Sequence, residues 1–488
     1  MKRTIFALCA IVLACCSGHK DPGPNGLRYP ALSYAPPNLK AHEYTLKNGI
    51  TAFIVPDAKL PVFDIEASIR TGSLLNPENA PGICEATAEL LRSGGTRTIP
   101  ADSFDETVDF FAASLSSDYE ATNATAALSI LKDNLDTGLY LFDQMLRNPG
   151  FETQKLALLK TRMKESIQHR FDHPSRTMNI LFDHAMYGPG KISGIMTTSN
   201  VDRISTESIR SFYKNTYRPK NIILAVSGKF EVPAIIEKLN ATLGAWEPSN
   251  KPETAFPNIT IQRGKAFYFV EKDINQAYVS LGLPLVQRPN PDYYPLVVMN
   301  WIVGGAPFTS RLSKKIREYE GLAYSAGSQV KCGYFYPGAF KVYMQTKSAS
   351  TAYAIGLAKR ELDAFVKNGA TAAELAEAQQ SIIDAFPAMF KTGADISSAF
   401  AQNRYLKRDD AFYDSYRDTL RAITLGDIRS VAEKYLVTDS MVICVVGKYD
   451  ACAPGDDVHP EKLNDFGPVT RLTEQELERI CTSPGKRP

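Results

Sequence analysis

Ala80–Thr96, "APGICEATAELLRSGGT", sets Cys84, Glu85, Ala88 and Glu89 in the first turns of an amphipathic helix framed by Pro-Gly and Gly-Gly. Two carboxylates one turn apart can exchange protons or hold a hard cation. The helix offers no histidine, and Cys84 has none near it in sequence, so neither a zinc site nor an activated thiol is spelled out locally. A second candidate is His169-Arg170-Phe171-Asp172-His173, with Glu165 four residues ahead of His169. On a continuous helix Glu165, His169 and His173 would share one face and could hold a metal ion. Pro174 opposes this, because a residue before proline is biased out of helical geometry, and exposed histidines at a helix end are the alternative. No G-x-S-x-G elbow and no CxxC spacing occurs.

These residues sit on a duplicated framework. The chain has 488 residues, 44% hydrophobic and 22% charged, which is too long for one core and implies more than one domain. A net charge of +2 with both signs interspersed gives no field for nucleic acid. "ISTESIRSFYKNTYRPKNIILAVSGKF" (204–230) aligns without gaps to "ITLGDIRSVAEKYLVTDSMVICVVGKY" (423–449), an offset of 219 residues. Both copies place Ser or Thr ahead of a helix, then an apolar run ending Gly-Lys-aromatic, as a capped helix followed by a buried strand would. Each half opens with two strands around a turn: Ile50–Val55 and Val62–Ile69, then Ala266–Val270 and Ala277–Leu283. Helical spacing follows over Lys155–Ile167, Ala354–Phe365 and Ala372–Ala385. Strands first and helices on one face predict an α+β fold in two tandem domains, 41–250 and 259–450, with a Pro- and Asn-rich join near Trp246–Asn258 and a polar tail over 451–488.

The N-terminus reads as a targeting segment over residues 1–16. Lys2 and Arg3 precede an apolar run, Ile5–Ala14, too short to span a bilayer. Val12-Leu13-Ala14-Cys15 resembles a bacterial lipobox with Cys15 as the lipidated residue, a plain signal peptide being the alternative. Residues 17–40 then serve as a flexible tether. This predicts an exported lipoprotein of the bacterial cell envelope, facing the periplasm. Cys84, Cys332 and Cys444 lie in apolar surroundings typical of inert thiols, while Cys452 and Cys481 could form a disulfide in an exported chain.

The two halves resemble the tandem domains of the insulinase or pitrilysin family of zinc peptidases, whose motif is H-x-x-E-H. The likeness rests on "APGICEATAELLRSGGT", "FYKNTYRPKNIILAVSGKF" and "MNWIVGGAPFTSRLSKKIREYEGLAYSAGS". It implies two α+β roll domains, each a mostly antiparallel sheet with helices on one face. Through Gly82 and the Thr87–Leu91 core, it puts Glu85 and Glu89 at the zinc-histidine positions, Ala88 at the general-base glutamate and Glu165 at the third ligand. It also implies that Arg317 and Tyr324 hold peptide and developing oxyanion. Some bacterial members work as two chains, one bringing zinc and the other the Arg and Tyr pair. This chain is similar to the second kind: no cofactor of its own, zinc on a paralogous partner carrying H-x-x-E-H, a peptide substrate paired to a sheet edge, and a membrane reached through its lipid. An active metallopeptidase with displaced ligands (Glu165, His169, His173) and a non-proteolytic scaffolding lipoprotein are the alternatives.

Overall fold

The structure is a computed structural model that describes residues 34–262 and 264–482. The targeting segment and Cys15 lie outside the described residues. In the first half β1 (Glu43–Thr45), β2 (Thr51–Pro56), β3 (Val62–Ile69), β4 (Ser114–Tyr119), β5 (Ala124–Leu131) and β6 (Ile222–Gly228) form one sheet in the order β1-β2-β6-β3-β5-β4. In the second, β7 (Ala266–Glu271), β8 (Gln276–Pro284), β9 (Ala323–Lys331), β10 (Ala339–Lys347), β11 (Val442–Gly447) and β12 (Thr470–Leu472) take the order β12-β7-β11-β8-β10-β9. Writing β7 to β11 for β2 to β6 matches five of the six strands, the remaining edge being β1 in one sheet and β12 in the other. Each sheet is mostly antiparallel, with β2 parallel to β6 and β7 parallel to both β11 and β12. The α+β architecture and its duplication are therefore as the sequence implies.

The helices that position the candidate residues are α1 (Ile83–Ser93), α2 (Thr153–Gln168), α3 (Pro174–Tyr187), α4 (Thr206–Thr216), α5 (Ala372–Ala385), α6 (Gly393–Tyr405), α7 (Leu425–Tyr435) and α8 (Glu474–Thr482). α5, α6 and α7 each begin 219 residues after α2, α3 and α4, so the repeat runs well past the stretch that is readable by identity. Ser205 and Thr424 cap α4 and α7, each accepting from the backbone N–H three residues on.

α3 and α6 change partners. α3 leaves its own half and packs on β11, β8 and β7, while α6 packs on β6, β2 and β3 of the first half. Leu181, Phe182 and Met186 of α3 thereby meet Val442, Cys444 and Val446 of β11 in a shared core. This explains the unbroken apolar runs of β6 and β11. A strand covered on both faces cannot alternate. With each sheet's second face covered by the other half, residues from Pro36 onward make one compact unit.

The segment beyond residue 450 departs from the polar tail that its composition suggests. β12 extends the second sheet, and α8 buries Leu477 and Cys481 in the core shared with α3. A stripe of only two or three apolar residues is enough to dock so short a helix, which is why average composition misses it. Cys452 and Cys481 are free and buried in different cores, so no disulfide links them. Burial pushes the thiols of Cys84 and Cys481 up to about 12, as inert thiols. No helix among the described residues is long and apolar enough to cross a membrane.

Candidate functional site

α1 begins at Gly82, whose φ of +94° favours glycine and whose Cβ would sit 2.2 Å from Met196 Sδ. With no side chain there to cap the helix, the Asn76 Oδ1 accepts from the Cys84 N–H at 2.9 Å. Ile83, Ala86, Thr87, Leu90 and Leu91 bury the core face. This turns Glu85, Ala88 and Glu89 toward α2, α3 and β4.

Each carboxylate there is satisfied from within. Burial raises the Glu85 carboxyl above its usual range, while the Tyr119 hydroxyl of β4, which hydrogen-bonds it, and the Arg176 charge act in the opposite sense. Glu89 Oε1 accepts from Arg162 of α2 at 2.9 Å, with both side chains about half exposed. Ala88 is 1% exposed, a methyl group in a filled space. Glu165 is exposed on α2, one turn beyond Arg162. Among the described residues no three His, Cys, Asp or Glu side chains are grouped to hold a metal ion. Zinc needs imidazole or thiolate donors and a carboxylate free to accept a proton. A donor set of carboxylates, one tied to an arginine, beside a buried methyl does not fit it.

The histidine motif is pulled apart. α2 ends at Gln168, His169 is its C-cap residue and His173 is the extended N-cap residue ahead of Pro174, so no helix face joins them to Glu165. His169 Nδ1 instead lies 2.8 Å from Asp172 Oδ2, on the surface.

The second-half pair is brought together. Arg317 lies in the π-helical turn Ser313–Tyr319, and Gly321, with φ +60°, reverses the chain so that Tyr324 becomes the second residue of β9. The Arg317 guanidinium stands 5.0 Å from the Tyr324 ring centroid and 4.9 Å from that of Phe308. Tyr324, on the edge strand, is 87% exposed, and Phe308, in the loop ahead of the π-helical turn, is 66% exposed. Among the described residues no carboxylate forms an ion pair with Arg317. Phe308 was not evident as a site residue; the "GGAPFTSR" loop carries it, and an apolar ring between turn residues is its one signal.

Comparison with known proteins agrees with this geometry. Residues 58–188 match the family model of insulinase, peptidase family M16, and residues 203–382 match that of the peptidase M16 inactive domain. The chain is 23% identical over 395 residues to the non-peptidase homolog YmxG of Helicobacter pylori, spanning 79% of this chain and 89% of that protein. Its fold is similar to the M16 inactive-domain structure from Pseudomonas fluorescens, with TM-score 0.75, 21% identity and 83% and 97% of the two chains covered. It is also similar to the periplasmic protease PqqL of Escherichia coli, with TM-score 0.70, 14% identity, covering 90% of this chain and 50% of that one. Two matched domains in tandem, in a sequence that nowhere reads H-x-x-E-H, make this chain an M16 insulinase-family homologue without that motif.

Proposed function

We propose that this protein is the non-catalytic, peptide-binding subunit of a heteromeric envelope metallopeptidase. Its partner is a paralogue carrying H-x-x-E-H and the zinc ion, and Arg317 and Tyr324 act in trans. The observation that carries the reading is the Arg317 cluster: a guanidinium flanked by two exposed rings, with no carboxylate among the described residues to neutralise it. A charge so held is available to a group from outside. A fork and a phenol side by side are matched to a peptide carbonyl acquiring negative charge. The unpaired edges of β4 and β9 offer backbone groups to an extended peptide. Anchoring through Cys15 would hold the complex at the periplasmic face of the envelope, and likeness to a periplasmic protease supports that location. The test is co-expression with the paralogue. A stable complex that cleaves peptides, where neither chain does alone, is the expected outcome. Cleavage by the isolated chain would contradict it, and a chain with no affinity for paralogue or peptide would favour a scaffolding role.

A further inference from the structure

A cavity of about 650 Å³ lies between α3 and the second sheet, with Ser73 and Ala121 of the first half and Ser325, next to Tyr324, also lining it. That volume is in the range of small-molecule sites. Four charged groups line it: Lys331 on β9, Lys341 on β10, Asp183 on α3, and Lys191, whose Nζ is committed to the Leu74 and Asn76 carbonyls at 2.9 Å each. Lys341 pairs with Gln329 and Ala339 with Lys331, so the two lysines are diagonal neighbours on one face, within reach of a single anion. The Lys341 Nζ donates to Asn179 Oδ1 at 3.3 Å and lies 4.6 Å from the Phe182 ring centroid, which leaves donor capacity facing the cavity. Asp183 feels both lysines without forming an ion pair among the described residues. Burial lifts its carboxyl to about 6, the two lysines pulling the other way. Tyr278 and Tyr343 add apolar walls with polar tips.

The duplicated fold supplies the control. Ala225 of β6 and Cys444 of β11 are repeat equivalents, and their partners make Glu66 equivalent to Ser280. Following the ladders outward, Thr125 stands where the second half has Lys341, and Ala127 where it has Tyr343. Gln402 of α6 replaces Asp183. The fold alone therefore does not require two cations and one anion here. Lys331 is exposed, whereas Asp183 and Lys341 are partly desolvated, and desolvated charges are unfavourable unless something completes them.

We propose that this cavity binds a zwitterion of amino-acid or short-peptide type, its carboxylate on Lys331 and Lys341 and its ammonium on Asp183, with a side chain between the tyrosines. A phosphate or nucleotide would set negative charge against Asp183. The site goes beyond the partner-subunit reading and does not depend on it. The experiment is calorimetric titration of the full chain with tyrosine, glycyl-tyrosine, glycyl-tyrosine amide, N-acetyl-glycyl-tyrosine and inorganic phosphate. Saturable 1:1 binding of tyrosine or glycyl-tyrosine is expected, at least tenfold weaker for the amide and for the acetylated form; whichever of the two free forms binds tighter identifies the source. Lys331→Gln, at an exposed position, and Lys341→Met should each weaken binding at least fivefold with circular dichroism unchanged. Asp183→Asn should weaken glycyl-tyrosine but not its acetylated form. No saturable binding of either zwitterion, equal binding of the amide, tighter binding of phosphate, or indifference to Lys331→Gln would each overturn the proposal.

Discussion

Two clusters of functional residue types sit in the two halves, and they are finished differently. On α1 the carboxylates are answered from inside the protein, Glu85 by Tyr119 and Glu89 by Arg162, around a buried Ala88 methyl. In the second half, Arg317 is answered among the described residues by two exposed rings. The molecule thus contains one place where carboxylates and a methyl group form ordinary packing and surface pairing. In the other place, a strong donor keeps its capacity unspent. Charges satisfied internally report on stability, whereas a charge left open reports on what arrives from outside.

The contrast can be broken at several points. Ala88→Glu should destabilise by about 3 kcal/mol or more, since a carboxylate would be buried there unpaired. Chemical denaturation measures this, and a neutral result would mean the pocket is still open. Glu85→Gln should act with opposite sign. Burial raises the folded carboxyl's pKa above its unfolded value, so ionisation costs stability above the folded pKa and nothing below the unfolded one. The variant should therefore melt higher than the parent at pH 8, and the gain should vanish as pH falls to 4. Arg162→Ala should change stability by about 0.5 kcal/mol or less, as removal of a half-exposed pair does. Arg317→Ala should move the isolated chain's melting temperature least, because the side chain has no internal ion pair to lose. A large drop would mark Arg317 as structural.

Much of the scaffold was legible because it is periodic. α5 falls on Ala372–Ala385 and β3 on Val62–Ile69, as their spacing implies, and the capped helices of the repeat were marked by Ser205 and Thr424. The exchange of α3 and α6 was not legible, because which sheet an amphipathic helix covers depends on the path of the chain rather than on the helix. The same holds for docking of α8 through Leu477 and Cys481. At the sites, sequence singled out candidate residues but not the groups that satisfy them. Arg162 is 73 residues from Glu89, and no local rule joins the two. Pro174 did carry enough information to separate His169 from His173, since its restriction acts on the adjacent residue.

The most direct test is the peptidase activity of the co-purified complex with Arg317→Ala in this chain and the paralogue unchanged. The expected result is a complex of normal stoichiometry whose activity falls by roughly a hundredfold or more, the scale for losing a charged donor at an oxyanion. Full activity in that variant complex, or cleavage by this chain without the paralogue, would contradict it.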